Sequence, residues 1–180
     1  MMNQESWLTA EVPGPKKASL ITKPEIADAM IRRASRPVFV VGSIASEIDL
    51  EEKKLIDYVI RLARQFQIRV IATGSTNTAF LARDFTPDAV MPAVDAGFRL
   101  ADPAWQGVDG NGPHDLAIFV GLPYQMGFTI LSGLKHFAPS LKTISLDNVY
   151  QPNARWSFSN ISIKNWIINL EAIIGNKEEE

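Results

Sequence analysis

Gly42-Ser43, Thr73-Gly74-Ser75, Gly121-Leu122-Pro123 and Asp147 are the residues of this chain best placed, by type and spacing, to meet a ligand. Each group ends an apolar run of strand-like composition. Small residues ahead of a helix leave backbone N–H groups open to an anion or a nucleotide. The chemistry expected is binding of a nucleotide or flavin in a strand-end crevice. Its candidate lining is Gly42, Ser43, Thr73, Gly74, Ser75, Gly121, Pro123 and Asp147. Two departures count against a standard NAD-binding unit. After the first central strand the sequence reads "VGSIAS", without G-x-G-x-x-G spacing. Thr73 stands where a ribose-binding carboxylate would end the next strand. "TGSTNT" (73–78) suits an anion, but a helix N-cap that binds nothing is the simpler reading.

The remaining polar residues point to structure before chemistry. "DGNG" (109–112) is faintly similar to the magnesium–diphosphate motif of thiamine enzymes, but no helix is expected after it, so it reads as a turn. His114 and Asp115 are neighbours before a strand and should point apart. On the helix expected over 123–137, Gly127, Leu131, Leu134 and Ala138 share a face. His136 lies roughly 180° from Gly127 at about 100° per residue, which turns it towards water. Beside Lys135 it complements the helix C-terminus. "YQPNARWSFSN" (150–160) places Tyr150, Arg155, Trp156 and Phe158 on an irregular segment. Such rings either form a protein interface, which Trp105 could extend, or cap the core.

Composition narrows the functions further. The chain has no cysteine and only two histidines, so it cannot itself hold an iron–sulfur cluster, a Cys-ligated zinc or a disulfide. Redox chemistry would have to come from a cofactor or a partner. The net charge of -2 supplies no field for nucleic acid or an anionic membrane. No run approaches the roughly 20 apolar residues of a membrane helix, and no signal-peptide core opens the chain, so a cytoplasmic protein is expected. At 180 residues one domain is expected, over 22–176, with an N-terminal arm (1–21) broken by "EVPGPKK" and a charged tail (177–180).

The elements that must position these residues alternate. Strands are expected at "PVFVV" (37–41), "IRVIAT" (68–73), weakly at "DAVMPAV" (88–94), and at "LAIFVG" (116–121) and "KTISLD" (142–147). A first helix opens with Thr22 and Glu25 spaced as a capping box. A second runs over 49–66, capped by Asp49 and Glu52, with Leu55, Val59, Leu62, Ala63 and Phe66 on one stripe. A short helix is expected over 77–85. Residues 95–115 read as loop with one turn at 103–106. A last helix over 163–174 carries Ile163, Trp166, Ile167, Leu170 and Ile174. Continuous apolar strands alternating with amphipathic helices predict an α/β fold: a doubly wound, mostly parallel sheet of five or six strands with helices on both faces, Rossmann-like.

Three stretches, "RRASRPVFVVGS", "HDLAIFVGLPYQMGFTILSGLKHFAPSLKTISLD" and "YQPNARWSFSN", together resemble the epsilon subunits of archaeal acetyl-CoA decarbonylase/synthase complexes, also called carbon monoxide dehydrogenase small subunits. "RPVFVVG" and "DLAIFVG" are similar, more broadly, to the central nucleotide-binding-like domain of thiamine-diphosphate enzymes. The family resemblance implies a noncatalytic accessory subunit beside a large carbon monoxide dehydrogenase subunit that carries the nickel–iron–sulfur centres. It implies stabilisation of that subunit and assistance to electron transfer to FAD, with no catalytic residue on this chain. Docking is expected through the N-terminal arm and the aromatic loop, and homo-oligomerisation stays open. The rival readings are a stand-alone nucleotide-binding module and an NAD-dependent enzyme of the same fold.

Overall fold

The apolar runs lie side by side in one sheet. The computed structural model describes residues 17–175. In chain order its elements are β1 (Ser19–Leu20), α1 (Pro24–Arg33), β2 (Pro37–Val41), β3 (Asp49–Leu50), β4 (Lys53–Lys54), α2 (Leu55–Phe66), β5 (Arg69–Ala72) and α3 (Thr76–Leu81). They continue as β6 (Ala89–Val90), α4 (Ala93–Ala101), β7 (Leu116–Val120), α5 (Tyr124–Phe137), β8 (Lys142–Ser145), β9 (Trp156–Ser157) and α6 (Ile163–Ile174). A 3-10 turn (Ser43–Ser46) follows β2. The main sheet has seven strands in the order β1-β9-β8-β7-β2-β5-β6, and every pairing in it is parallel.

Burial on both faces explains the unbroken apolar strands. Phe39 and Val41 of β2 enter one core layer with α1, α2 and α6, while Val38 and Val40 enter the other with α4 and α5. β7 alternates the same way: Leu116, Ile118 and Val120 face the first layer, Ala117 and Phe119 the second. A parallel sheet covered by helices on both sides has no wet face for polar residues to occupy. The doubly wound α/β fold expected from sequence is therefore observed.

The strand count exceeds the expected five or six because β1, at the edge, and β9, between β1 and β8, have two residues each, too short for periodicity to reveal. Much of the expected arm, residues 1–16, and the tail lie outside the described residues. Ala18 and Ile21 are buried, and Ser19–Leu20 pairs with Trp156–Ser157, so the end of that segment is built into the sheet.

Local signals shifted three helices. Residues 49–54 form a small antiparallel hairpin, so α2 begins at Leu55, and the Asp57 carboxylate rather than Asp49 or Glu52 accepts the Lys54 N–H at 2.7 Å. α1 begins at Pro24 without a side-chain cap. α4 occupies part of the segment expected as loop; its Ala93, Ala96, Gly97 and Leu100 are buried, Gly97 against Ile130 of α5.

Candidate functional site

Strand order determines what the small residues do. From β2 the chain steps outward through β5 and β6, then returns to the other side of β2 with β7. The reversal therefore lies between the carboxyl ends of β2 and β7, where open α/β sheets place ligands. Four of the candidate groups form a row along this edge, in the order Thr73, Gly42, Gly121, Asp147. Backbone bonds tie the row together: Thr73 N–H to Val41 O at 3.0 Å, Gly42 N–H to Val120 O at 2.9 Å, and Leu146 N–H to Phe119 O at 3.0 Å. The Thr73 hydroxyl also donates to Val41 O, at 2.9 Å, so it turns inward.

Between Gly42 and Gly121 the chain fills its own switch point. The turn that begins at Ser43 folds over β7, and Ile44 N–H donates to Gly121 O at 3.0 Å. A Cβ on Gly42 would collide with the Gly121 carbonyl oxygen and lie 2.6 Å from Leu122 Cα. A Cβ on Gly121, whose φ is +68°, would lie 2.6 Å from both the N and the Cβ of Ala45. These glycines let two backbones touch, which is the physical reason for glycine here. Ser43 is half-buried, and its carbonyl accepts the Ser46 hydroxyl at 2.8 Å.

The other candidates lie around this seal. Gly74, at φ +52°, and Ser75 are exposed before α3, and Ser75 makes no side-chain capping bond. Pro123 is exposed immediately before α5. Asp147 is half-buried, and its Oδ1 accepts the Gly121 N–H at 2.8 Å. Burial pushes this carboxyl up to about 7, and the Gly121 hydrogen bond pulls it back only in part. Beside it a cavity of about 230 Å³ is lined by Ile44, Leu122, Tyr124, Asp147 and Gln151 among others. Gln151 is 3% exposed. Its Nε2 donates to Tyr124 O at 3.2 Å, while its Oε1 has no hydrogen-bond partner. Sequence reading missed Gln151, since only the fold brings position 151 beside Gly121.

A pH profile follows from Asp147. An unfolded aspartate ionises near 3.9, so between about pH 4 and pH 7 the folded chain holds a proton that the unfolded chain has released. Stability from this group is full below that window and is lost as pH rises through it. Asp147→Asn keeps an oxygen to accept the Gly121 N–H and removes the titration. Urea unfolding of the variant should therefore lack the loss between about pH 4 and pH 7 that the Asp147 carboxyl imposes on the parent chain. Parallel profiles for the two proteins would refute this assignment.

The polar cluster at the opposite end of the sheet holds structure. Arg36 pairs with Asp109, and Arg69 approaches Asp109 at 3.5 Å; the Arg36 bond holds the Asp109 carboxyl well below the usual carboxylate range. "DGNG" is thus a turn pinned by arginines. His114 Nδ1 lies 3.0 Å from Arg36 O, and its Nε2 accepts the Val108 N–H at 3.3 Å, which fits a neutral ring with the proton on Nδ1. Burial lowers its pKa. Asp115 instead accepts the N–H groups of Ser35 and Arg36, both at 2.8 Å, so the two neighbours do not form an acid–base pair. His136 is exposed, as its helical position predicts.

The aromatic loop divides. Tyr150 and Phe158 are buried, and the Tyr150 hydroxyl donates to Ala18 O at 2.9 Å. Trp156 is half-buried under Arg155, whose guanidinium carbon lies 5.3 Å from the ring centroid. Trp105 packs 5.6 Å from the His114 ring. For Tyr150 and Phe158 the core-capping alternative is the observed one. No helix among the described residues is long and apolar enough to cross a membrane.

Comparison with known proteins agrees with the resemblance in the sequence. The chain is 36% identical to the acetyl-CoA decarbonylase/synthase complex subunit epsilon of Methanothermobacter thermautotrophicus, over 92% of this chain and 91% of that protein. It is 34% identical to subunit epsilon 1 of Archaeoglobus fulgidus, over 85% of this chain and 80% of that protein. With subunit epsilon 1 of Methanosarcina barkeri the identity is 32%, over 87% of this chain and 88% of that protein. The family described as CO dehydrogenase beta subunit/acetyl-CoA synthase epsilon subunit matches residues 2–174, so it spans the sheet, both core layers and the sealed switch point, and the chain belongs to that family.

Proposed function

We propose that the chain is a noncatalytic accessory subunit of an acetyl-CoA decarbonylase/synthase complex, in which it stabilises the large nickel–iron–sulfur carbon monoxide dehydrogenase subunit and assists electron transfer to FAD. The observation that carries this reading is the extent of similarity: relatives named as subunit epsilon of that complex align over 85–92% of this chain and 80–91% of their own length. The sealed switch point supports it, because the Ser43–Ser46 turn occupies the place where a stand-alone nucleotide enzyme of this fold would bind its ligand.

The fit to FAD is partial. Ligand pockets commonly enclose roughly 300–1,000 Å³. The cavity beside Asp147 and Gln151 is about 230 Å³, so it takes a ring-sized portion and not a whole dinucleotide. When bound, a flavin would supply the electron-carrying chemistry. This chain would contribute Gln151 Oε1 as an acceptor for a donor on the ring, and Leu122 and Ile44 as apolar walls. The remainder of the cofactor would then rest on the surface or on a partner.

Anoxic co-expression with the large subunit tests the reading. The two chains are expected to co-purify, and the large subunit is expected to lose activity faster on warming when this chain is left out. Failure to co-purify would remove the accessory role. A complex that carries no flavin, and whose flavin absorbance is unchanged on titration with FAD, would remove the electron-transfer part alone.

A further inference from the structure

The cavity beside the switch point lies between Leu122, which follows β7, and Asp147, which follows β8, and its polar side is incomplete. Asp147 Oδ1 accepts the Gly121 N–H at 2.8 Å, and among the described residues Oδ2 receives no hydrogen bond. Gln151 Nε2 donates to Tyr124 O at 3.2 Å. A carbonyl only accepts, so this bond fixes which end of the amide is nitrogen and leaves Oε1 as the unpaired end. Gly127 makes room for the amide: an added Cβ would lie 3.2 Å from Nε2. A buried acceptor without a partner is unfavourable, and a donor on a ligand would satisfy it.

What the lining offers selects the ligand. The amide donors around the cavity are committed, since Asn148 Nδ2 donates to Ile161 O at 3.3 Å and the Gly121 N–H to Asp147. Asp147 Oδ2 and Gln151 Oε1 remain as acceptors. Ile44, Ile48 and Leu122 supply apolar walls, and Tyr124, 41% exposed, offers a ring face to a planar ligand. Among the described residues no lysine or arginine lines the cavity, so a phosphate finds no counter-charge in it. A flat, uncharged ring that carries N–H donors fits this lining.

We propose that the cavity takes an aminopurine ring whose exocyclic amine donates to Asp147 and Gln151, which places the adenine end of FAD here; the assignment rests on the FAD part of the reading above. The adenine amine offers two N–H donors on one nitrogen. The flavin ring system matches less well. Its one ring N–H stands between two carbonyls, which would be set against the carboxylate and the Gln151 oxygen. A cavity of about 230 Å³ also suits two fused rings better than three. The electron-carrying ring would then lie outside this chain, within reach of a partner subunit.

Calorimetric titration of the full-length chain tests the assignment, at pH 8 so that Asp147, with its pKa of about 7, is ionised. Three probes are used: AMP, IMP, in which a carbonyl replaces the amine, and FMN, which has the flavin ring and no adenine. AMP is expected to bind, IMP at least tenfold more weakly, and FMN not at all. Asp147→Asn keeps an acceptor for the Gly121 N–H and turns N–H donors towards the amine, so AMP should bind it at least tenfold more weakly, with thermal melting recorded to show that the variant is folded. If the variant does not fold, the AMP and IMP titrations of the parent chain decide alone. Equal binding of AMP and IMP, FMN binding without AMP binding, an Asp147→Asn chain that folds and binds AMP as the parent does, or no binding of any probe would each overturn the assignment. The anoxic co-purification above involves no ligand, so the two readings fail separately. A complex that carries flavin while the chain ignores AMP would overturn the aminopurine site alone, and AMP binding by a chain whose complex takes no FAD would leave the site standing and remove FAD as its ligand.

Discussion

Gly42→Ala is expected to abolish most of the soluble yield of this chain and to lower the stability of the remainder by about 4 kcal/mol or more. The added Cβ meets only backbone: the Gly121 carbonyl, with its carbon at 2.6 Å, and Leu122 Cα at the same distance. No rotamer change relieves a clash with main chain. Either β2 or β7 must move, and both lie in the middle of the sheet. Overpacking alone costs about 1–3 kcal/mol. The shift would also break the hydrogen bonds from Gly42 to Val120 and from Ile44 to Gly121, each contributing about 1 kcal/mol. Against a typical total of about 5–15 kcal/mol, little margin is left. Gly133→Ala is the control. Nothing lies within 4 Å of its added Cβ, so helix propensity should raise stability by up to about 1 kcal/mol. Urea unfolding of both variants checks the pair, and a Gly42→Ala chain within 1 kcal/mol of the parent, on the scale of that propensity effect, would show that the seal is not tight.

Trp166→Ala should be nearly as severe. The ring is fully buried under the sheet, where α6 meets α1 and α2, and its Nε1–H donates to Leu146 O at 2.7 Å. Removing a buried tryptophan costs about 3–5 kcal/mol in lost transfer energy and cavity, and the orphaned carbonyl adds about 1–3 kcal/mol unless water reaches it. Trp166→Phe separates the two contributions. It keeps most of the ring and loses the hydrogen bond, so a loss of about 1–3 kcal/mol is expected. If both variants unfold at the same urea concentration, the hydrogen bond and not the ring volume governs this contact.

The central strands were legible because burial on both faces leaves an unmistakable composition, as in "PVFVV" and "LAIFV". The stripe of α2 was legible too, since Leu55, Val59, Leu62 and Ala63 all reach the core. Its start was not. Glu51 and Glu52 look helical, but Glu51 sits at φ +58° inside a hairpin that local propensity does not announce. α4 was hidden by its own chemistry. Its inward face is Ala93, Ala96, Gly97 and Leu100, spaced i, i+3, i+4 and i+7, but mostly too small to register as an apolar stripe. With 95–101 reading as loop, the place of Phe98 on a helix beside α5 is not visible in the sequence.

The strand-end row shows a different limit. Composition located Gly42, Thr73, Gly121 and Asp147 correctly at strand ends, and the rule for parallel sheets said that such ends meet ligands. Whether two of these ends touch depends on strand order. Gly42 and Gly121 become neighbours only because β7 returns to the side of β2 opposite β5. Gln151 is legible in no local pattern; its unpaired oxygen acquires meaning from Tyr124 and Asp147, which are close only after folding.

The edge strand β1 bears on how the chain is made. The Tyr150 hydroxyl and the Ala18 carbonyl that fasten this edge are 132 residues apart in sequence. At translation rates of about 5–20 residues per second, the early segment waits roughly 7–26 seconds at the ribosome before its partner exists. The middle of the sheet can assemble meanwhile, since β2, β5 and β7 are all complete before β9 is synthesised. Closing this edge is thus a late act of biogenesis, and the nascent chain presents an open strand edge to whatever chaperone or partner meets it first.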